Sequence, residues 1–478
     1  MPKTKKEQGG AGSLLKGAAW IALGGFIAKV IGAVYRIPLT NLIGGKGIGL
    51  YQMVYPVYCL LLTVSATGIP SSIAKLTAER IGRGESEKPL FKTAMRLFLI
   101  IGAIGTVVMC VASPFLSKAQ SSEEVLLGYF ALAPSVFLVA IISVFRGYFQ
   151  GKNRMLPTAA SEIIEQAVKV GVGLFFAWKF RENIALAVVY LLLAVSISEL
   201  VACLFMALVY RRHQRKEKPQ KMQKDGGRVA MKHILRISLP VTVGSVLIPL
   251  SSLIDSVFAV RLLRVYASDA VSLYGLFAGG AVTVINLPVS VCYGIAAASI
   301  PAVATAKAQT ERLQNGNAEN TKKRVKNIVR RKWLFSLFIT ALIALPAAVG
   351  LYIFAEPIAK IIYKNLSASE LEILSGLIRA FSLSAFTLSC AQTLSACLTA
   401  QGKPQHSALS MGLGMAVKTA VYAVLLKNKQ ISVFGLAYAT NIGYLVAFFM
   451  DLVYNFIVSR KCGAEKAGPR KKPKEETI

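Results

Sequence analysis

The sequence predicts an all-α polytopic membrane protein, with about twelve transmembrane helices in two six-helix pseudo-symmetric lobes around a central cavity. Of its 478 residues, 54% are hydrophobic and 16% are charged, whereas a soluble domain is usually about 45–50% apolar and about 25% charged. The mean hydropathy is +0.55. The apolar runs are long and continuous, which favours helices, because a transmembrane barrel would show alternating segments of about 10 residues.

Twelve apolar runs bounded by charged residues are long enough to cross a bilayer, for which a helix needs about 20 apolar residues. The predicted spans are approximately 14–35, 48–70, 92–116, 125–145, 157–178, 184–209, 234–260, 271–300, 333–355, 372–398, 406–426 and 431–457. The run that follows the basic N-terminus is too long for a signal-peptide core, so we predict that it is retained as the first span.

Lys and Arg residues are divided unequally between the two sides of these spans. Of the 55, 40 lie in the termini and loops on one side, 11 lie on the other side and four lie within spans. Cytoplasmic loops carry the positive excess, so we predict a cell-membrane protein with both termini in the cytoplasm. The net charge of +32 then reflects topology and a surface for anionic membrane lipids, and no nucleic-acid partner is expected.

Three short matches recur at equivalent points of the two halves. They pair Ile69–Pro70 with Ile300–Pro301, Gln150–Gly151–Lys152 with Gln401–Gly402–Lys403, and Lys169 with Lys418. Duplicated units of six spans are parallel repeats, an arrangement that favours transport by alternating access. The expected regions are an N-terminal lobe at 1–210, a basic cytoplasmic linker at 211–232, a C-terminal lobe at 233–458 and a basic cytoplasmic tail at 459–478.

Ionisable side chains within spans are candidates for function, because each costs at least about 2.5–3.5 kcal/mol to insert. Lys29 lies in the first span and Arg36 ends it, about 10 Å further along the helix axis. This cationic stripe suits a phosphate or diphosphate, and Lys169 near the middle of the fifth span is a third candidate for substrate binding. The alternatives are that Arg36 reaches the lipid headgroups and that Lys29 and Lys169 pair with neighbouring helices.

Other candidates fall into two groups. Those for gating or ion coupling are Glu162, Glu165, Asp255 and Arg261, and those for the cavity lining are Tyr51, Gln52, Tyr55 and Asn286. Glu165 and Lys169 have the i,i+4 spacing of a favourable ion pair, and Asp255 lies one to two turns from Arg261. A structural salt bridge is the alternative for the charged group, and helix packing is the alternative for the neutral group.

Catalytic and metal-binding patterns are not found in the sequence. The seven cysteines form no C-x-x-C pair and the three histidines are scattered, so no zinc site or disulfide framework is predicted. The cluster Gly44–Gly49 lacks the Lys-Ser/Thr ending of a phosphate-binding loop and is predicted to be a turn between the first two helices. We expect no enzyme activity and no cofactor, with membrane potential, H⁺ or Na⁺ as the candidate energy source.

Three segments resemble sequences of the stage V sporulation protein B family. They are IGAVYRIPLTNLIGGKGIGLYQMVYPVYCLLLTVSATGIPSSIAKLTAER (31–80), FRGYFQGKNRMLPTAASEIIEQ (145–166) and LYGLFAGGAVTVINLPVSVCYGIAAASIPAVA (273–304). That family belongs to the polysaccharide-export branch of the multidrug/oligosaccharidyl-lipid/polysaccharide exporter (MOP) superfamily and is similar to the lipid II flippases of the MurJ type.

The resemblance implies a V-shaped, two-lobed flippase that moves an undecaprenyl-diphosphate-linked oligosaccharide, such as a lipid II-like peptidoglycan precursor, from the inner to the outer leaflet. It also implies a cationic cavity with basic residues on the first helix, where Lys29 and Arg36 fall, and the cell-wall synthesis machinery as a partner. Two departures are clear. Such flippases commonly have fourteen spans, and their further cavity cations are replaced by Leu62, Thr63, Thr283 and Asn286.

The alternative function is that of an ion-coupled drug or metabolite antiporter of the same superfamily. Such an antiporter would need acidic residues in its cavity to hold cationic substrates, whereas the first span contains Lys29 and no carboxylate. A membrane glycosyltransferase and a non-transporting scaffold for cell-wall assembly are further alternatives.

Overall fold

The computed structural model describes residues 5–66, 69–216, 246–313 and 319–461, and the regular elements in these ranges are helices. The helices are α1 Lys5–Ala66, α2 Ile69–Gly82, α3 Lys88–Ala119, α4 Leu126–Gly151, α5 Leu156–Lys179, α6 Ile184–Lys216, α7 Val246–Leu263, α8 Ala270–Gly275, α9 Val282–Leu313, α10 Glu319–Ile353, α11 Ala355–Ile362, α12 Ala368–Phe381, α13 Leu383–Ala400, α14 Pro404–Leu425 and α15 Phe434–Lys461. A 3₁₀ turn precedes α4 at Glu123–Val125.

The predicted class of a multi-pass helical membrane protein is confirmed. Within the described residues, each predicted span overlaps a helix, and ten helical segments in these ranges are long and apolar enough to cross a membrane. Helix α5 carries three charged residues within its predicted span, which lowers its hydropathy. Large apolar side chains are exposed on the helix surfaces, including Phe115 at 72% and Leu342 at 62%. Such a surface is suited to contact with lipid rather than water.

Two helix boundaries differ from the prediction. The first two predicted spans are arms of the single element α1, which kinks at Gly44, where φ is 67° and ψ is −173°. Glycine enters this left-handed region without a steric penalty, so the turn predicted for the glycine cluster is limited to one residue. The predicted span 372–398 is divided into α12 and α13 at Ser382, whose hydroxyl donates to the carbonyl oxygen of Arg379 at 2.9 Å.

The helices pack as two groups, which we call the N-terminal half (α1–α6) and the C-terminal half (α7–α15). In the first, α4 packs on α2, α3 and α6, while α5 packs on α1 and α6; in the second, α9 packs on α10 and α13, and α15 packs on α13 and α14. The second arm of α1 also packs on α8 and α9. Most of the predicted linker 211–232 lies outside the described residues, so the exact lobe boundaries stay a prediction.

The halves meet at one end of the bundle, where α1 kinks. We call this region the closed end and define it by residues 41–52, 120–124, 256–279 and 362–370. The Asn41 side-chain amide donates to the carbonyl oxygen of Ile362 at 2.8 Å, and the Gly45 amide donates to Oε1 of Glu370 at 3.2 Å. Gln120 Nε2 donates to the Ser256 hydroxyl at 3.0 Å. The hydrogen bonds that join the two halves, within the described ranges, all lie at this end.

Glycines bring the two backbones into direct contact at the closed end. A Cβ atom added at Gly275 would lie closer than 3.0 Å, a distance that real Cβ atoms essentially never show, to the Gly45 oxygen and the Gly49 nitrogen. A Cβ atom added at Gly49 would collide in the same way with the Val271 oxygen. The absence of side chains at these positions therefore permits the halves to close.

A π-helical turn, Leu276–Ala281, joins α8 to α9 at the same end. Such turns hold one residue more than an α-helical turn and often occur at functional sites. Two of its carbonyl oxygens accept side-chain hydrogen bonds: Gln52 Nε2 donates to Ala278 O at 2.9 Å, and the Tyr363 hydroxyl donates to Gly280 O at 3.2 Å. The Gln52 bond crosses from one half to the other.

Candidate functional site

A cavity of about 720 Å³ lies between α1 and the helices of the C-terminal half, next to the closed end. Its lining includes five of the residues singled out from the sequence, namely Arg36, Gln52, Tyr55, Asp255 and Asn286. The charged lining residues among those described are Arg36, Asp255 and Lys418. The cavity is large enough for a headgroup, and its polar groups sit among apolar ones, as is usual for a ligand site.

Arg36 is a partly buried residue of the first arm of α1. Its guanidinium makes no hydrogen bond or ion pair with any residue that the structure describes, although α1 places it within electrostatic range of Tyr55 and Tyr363. Guanidinium groups match phosphates through paired donors. An unpaired guanidinium that lines a cavity within the membrane is therefore a strong candidate for binding an anionic group.

Asp255 and Lys418 form an ion pair across the cavity wall, from α7 to α14. Each is 8% exposed, and Lys418 Nζ also donates to the Ser251 hydroxyl at 3.3 Å. Oδ1 of Asp255 has no hydrogen-bond partner among the described residues. Asp255 was expected to act with Arg261, but Arg261 is exposed and lies about 9 Å further along the axis of α7. The structure thus gives Asp255 a different partner.

A second group of charges lies mostly buried in the N-terminal half. Arg146 Nη2 bonds to Glu165 Oε2 at 2.9 Å, and Arg146 Nε donates to the Ser161 hydroxyl at 3.0 Å. The hydrogen-bonded partner of Glu165 is thus Arg146, whereas Lys169, four residues along α5, lies within electrostatic range of Glu165. Helix α4 brings a guanidinium that reaches acceptors on two turns of α5, and this geometry satisfies more polar atoms than a pair within one helix. Glu162 is partly buried and lies within electrostatic range of Arg146.

Lys169 of α5 is not among the cavity-lining residues. It is 8% exposed, within electrostatic range of Glu165, Glu199 and Arg36. The buried Glu199 of α6 accepts a hydrogen bond from the Tyr58 hydroxyl at 3.0 Å. A direct role of Lys169 in substrate binding stays a prediction. So does that of Lys29, whose side chain lies outside the described residues.

The tyrosines of α1 form a stack of which Tyr55 alone lines the cavity. The ring centroids of Tyr51 and Tyr55 are 5.1 Å apart with an angle of 21° between the planes, and those of Tyr55 and Tyr58 are 5.6 Å apart. Tyr51, predicted as a lining residue, is instead 4% exposed in the core. It supports Tyr55, which remains available to contact a ligand.

Replacing Glu165 with leucine is expected to destabilise the protein by about 3 kcal/mol, because it removes the carboxylate that pairs directly with the mostly buried Arg146 guanidinium, while Glu162 and Glu199 stay within electrostatic range. Thermal unfolding of the purified protein in detergent measures the effect. The matched control is Glu124→Gln, which breaks the Lys46–Glu124 pair, whose side chains are 49% and 42% exposed, and it should cost at most about 1 kcal/mol. Equal unfolding temperatures for the two variants would contradict the assignment of a structural ion pair.

Comparison with known proteins decides the family. The model of the family described as "Polysaccharide biosynthesis protein" matches residues 14–307 of this chain. The chain belongs to the polysaccharide biosynthesis protein family. The resemblance found in the sequence is thereby confirmed, and it extends to two proteins of Bacillus subtilis (strain 168).

The first of these two relatives is Stage V sporulation protein B, which is 25% identical over 443 residues, or 91% of this chain and 82% of that protein. The second is Lipid II flippase MurJ, 23% identical over 475 residues, or 94% of this chain and 82% of that protein.

This chain shares its fold with solved structures of multidrug resistance MATE family transporters of the MOP superfamily. For an inward-facing one the TM-score is 0.76 at 16% identity, covering 92% of this chain and 96% of that one. For an outward-facing one the TM-score is 0.64, with coverage of 94% and 96%. The protein therefore has the fold of MOP superfamily transporters.

Proposed function

We propose that this protein is a flippase that moves an undecaprenyl-diphosphate-linked oligosaccharide from the inner to the outer leaflet by alternating access. The observation that carries the proposal is Arg36, a guanidinium without an ionic partner in the described chain, lining a cavity of about 720 Å³ between two halves that touch at one end. A diphosphate and its sugars cross hydrocarbon only at great cost. A polar cavity removes that cost, while the polyprenyl tail stays in lipid.

The charge of the cavity favours an anionic substrate over a cationic one. Asp255 is neutralised by Lys418, so the described lining carries one net positive charge, that of Arg36. An antiporter for cationic drugs or metabolites would present an unpaired carboxylate, and Asp255 is paired. Tyr55 lines the same cavity as Arg36 and adds an aromatic side chain suited to a sugar ring.

The relatives support the same substrate class. One is named as a lipid II flippase, and the family description concerns polysaccharide biosynthesis. We propose a lipid II-like peptidoglycan precursor or a related polysaccharide unit as the cargo, with Lys29 as a further cation on the first arm of α1. The proposed partners are anionic membrane lipids and the cell-wall synthesis machinery.

The distribution of charge supports an orientation. If the basic loops and both termini are cytoplasmic, as the excess of Lys and Arg on their side predicts, the closed end faces outward in the cell membrane. The conformation described here would then be the one that admits substrate from the inner leaflet. Return of the empty cavity would be driven by membrane potential or by an H⁺ or Na⁺ gradient.

Reconstitution in vesicles tests the proposal. The purified protein is inserted into liposomes that carry a fluorescent lipid II in both leaflets, and a membrane-impermeant quencher is added outside. We expect loss of the inner-leaflet signal as well, because flipping exposes that pool. Loss of only the outer-leaflet pool, as in protein-free liposomes, would contradict the proposal. Efflux of a fluorescent cation by the same vesicles would instead support the antiporter.

A further inference from the structure

The ion pair between α7 and α14 leaves part of Lys418 available to a ligand. An ammonium group has three N–H donors. In the described structure Lys418 uses two, one toward Asp255 Oδ2 and one toward the Ser251 hydroxyl. Because Lys418 itself lines the cavity, the third donor can serve a group that enters it.

Asp255 holds this ammonium without being fully satisfied itself. Its Oδ2 accepts from Lys418, and its Oδ1 lacks a hydrogen-bond partner within the described ranges. Among the residues that the structure describes, the other titratable groups within electrostatic range of the carboxylate are the phenols of Tyr274, Tyr422 and Tyr444. A carboxylate with a single ionic partner in a cavity wall competes directly with any anion that approaches the same partner.

We infer that Lys418, which lines the same cavity as Arg36 but from α14, is a second headgroup-binding cation, and that Asp255 competes with the phosphate for it and lowers the affinity of the cavity. The inference rests on the proposed function and specifies how its site is tuned. Two free cations would hold a diphosphate tightly and slow its release. A counter-ion inside the cavity weakens the second contact, so that binding and release both remain accessible, as in other sites that must pass their ligand on.

Binding measurements on the full chain in detergent test this role, with undecaprenyl diphosphate as the probe and undecaprenol as the uncharged control. We expect Asp255→Asn to tighten binding about tenfold and Lys418→Gln to weaken it about tenfold, as is usual for a hydrogen bond to a charged group. The double variant should bind like Lys418→Gln alone, because Asp255 acts only through Lys418. Asp255→Ser repeats the test if the asparagine variant does not fold.

The matched control is Asp451→Asn. Asp451 is a carboxylate of the same half, 3% exposed and outside the cavity lining, so the same chemical change at this position should leave the affinity unchanged. Thermal unfolding, measured in parallel, reports any loss of structure. An excess of phosphatidylglycerol distinguishes a prenyl diphosphate from an ordinary anionic lipid, and full displacement by that lipid would overturn the proposed function and the inference with it.

The outcomes separate the inference from the proposed function. If the wild type binds undecaprenyl diphosphate no better than undecaprenol, the proposed function fails and the inference fails with it. In a second outcome, the wild type binds undecaprenyl diphosphate and Arg36→Gln does not, but Asp255→Asn weakens binding. The ion pair then only joins two helices, and the inference alone is overturned. Unchanged affinity of Lys418→Gln would overturn it as well.

Discussion

The Arg36→Gln variant is expected to translocate the lipid-linked substrate about a hundredfold more slowly than the wild type. Each hydrogen bond from a charged donor contributes about 1.5–3 kcal/mol, and a guanidinium can offer two such bonds to one phosphate. Losing about 2.8 kcal/mol of headgroup interaction corresponds to a factor of about 100 in affinity. The fluorescent lipid II assay in liposomes measures the rate.

Two further variants make the Arg36 result specific. Arg379→Gln removes the same charge from an exposed position outside the cavity lining and should translocate at the wild-type rate. Arg36→Lys keeps the charge without the fork of donors and should lie in between. A wild-type rate for Arg36→Gln would remove the proposed headgroup site, although the family and the fold would stand.

The Gly275→Leu variant is expected to hold the two halves apart at the closed end. Its side chain would collide with the α1 backbone at Gly45 and Gly49, where even a Cβ atom does not fit. Overpacking costs about 1–3 kcal/mol or more, so the ratio of closed to open molecules should fall by at least about fivefold. Because alternating access needs both states, translocation should slow to a similar extent.

Distances across the closed end measure this change directly. Spin labels at Glu123 and Ser268, which are exposed and face the same small pocket from opposite halves, should give a longer mean distance in Gly275→Leu than in the wild type. Gly350→Leu is the matched control, since open space surrounds that position. An unchanged distance in the Gly275 variant would show that the glycine contact does not control closure.

The parts of the site that could be predicted are those marked within a single span. Arg36, Gln52 and Asn286 are polar residues in otherwise apolar helices, so their insertion cost alone singles them out, and all three line the cavity. The turn at Gly44 was likewise marked by its glycine cluster. Hydropathy was sufficient to place the helical segments because the bilayer fixes their length.

Partners in distant helices could not be predicted in the same way. Lys418 lies 163 residues from Asp255, and Arg146 lies on a different helix from Glu165. Spacing within one helix suggests Arg261 as the partner of Asp255 and Lys169 as the partner of Glu165, because spacing does not show which helices become neighbours. The division at Ser382 was missed for a local reason, since no proline or glycine marks it.

The extra residue in the π-helical turn Leu276–Ala281 sets the rotation of α9 about its axis, and the same turn forms part of the contact between the halves. Removing it would advance the rest of α9 by one helical position, a rotation of about 100° around its axis, which would swing Asn286 away from the ligand. The Ala278 oxygen that this turn presents is held by Gln52 from the opposite half. When the halves separate, this hydrogen bond to the π-helical turn is lost. The movement that opens the cavity outward therefore also weakens the support for the rotational position of α9, the helix that carries Asn286.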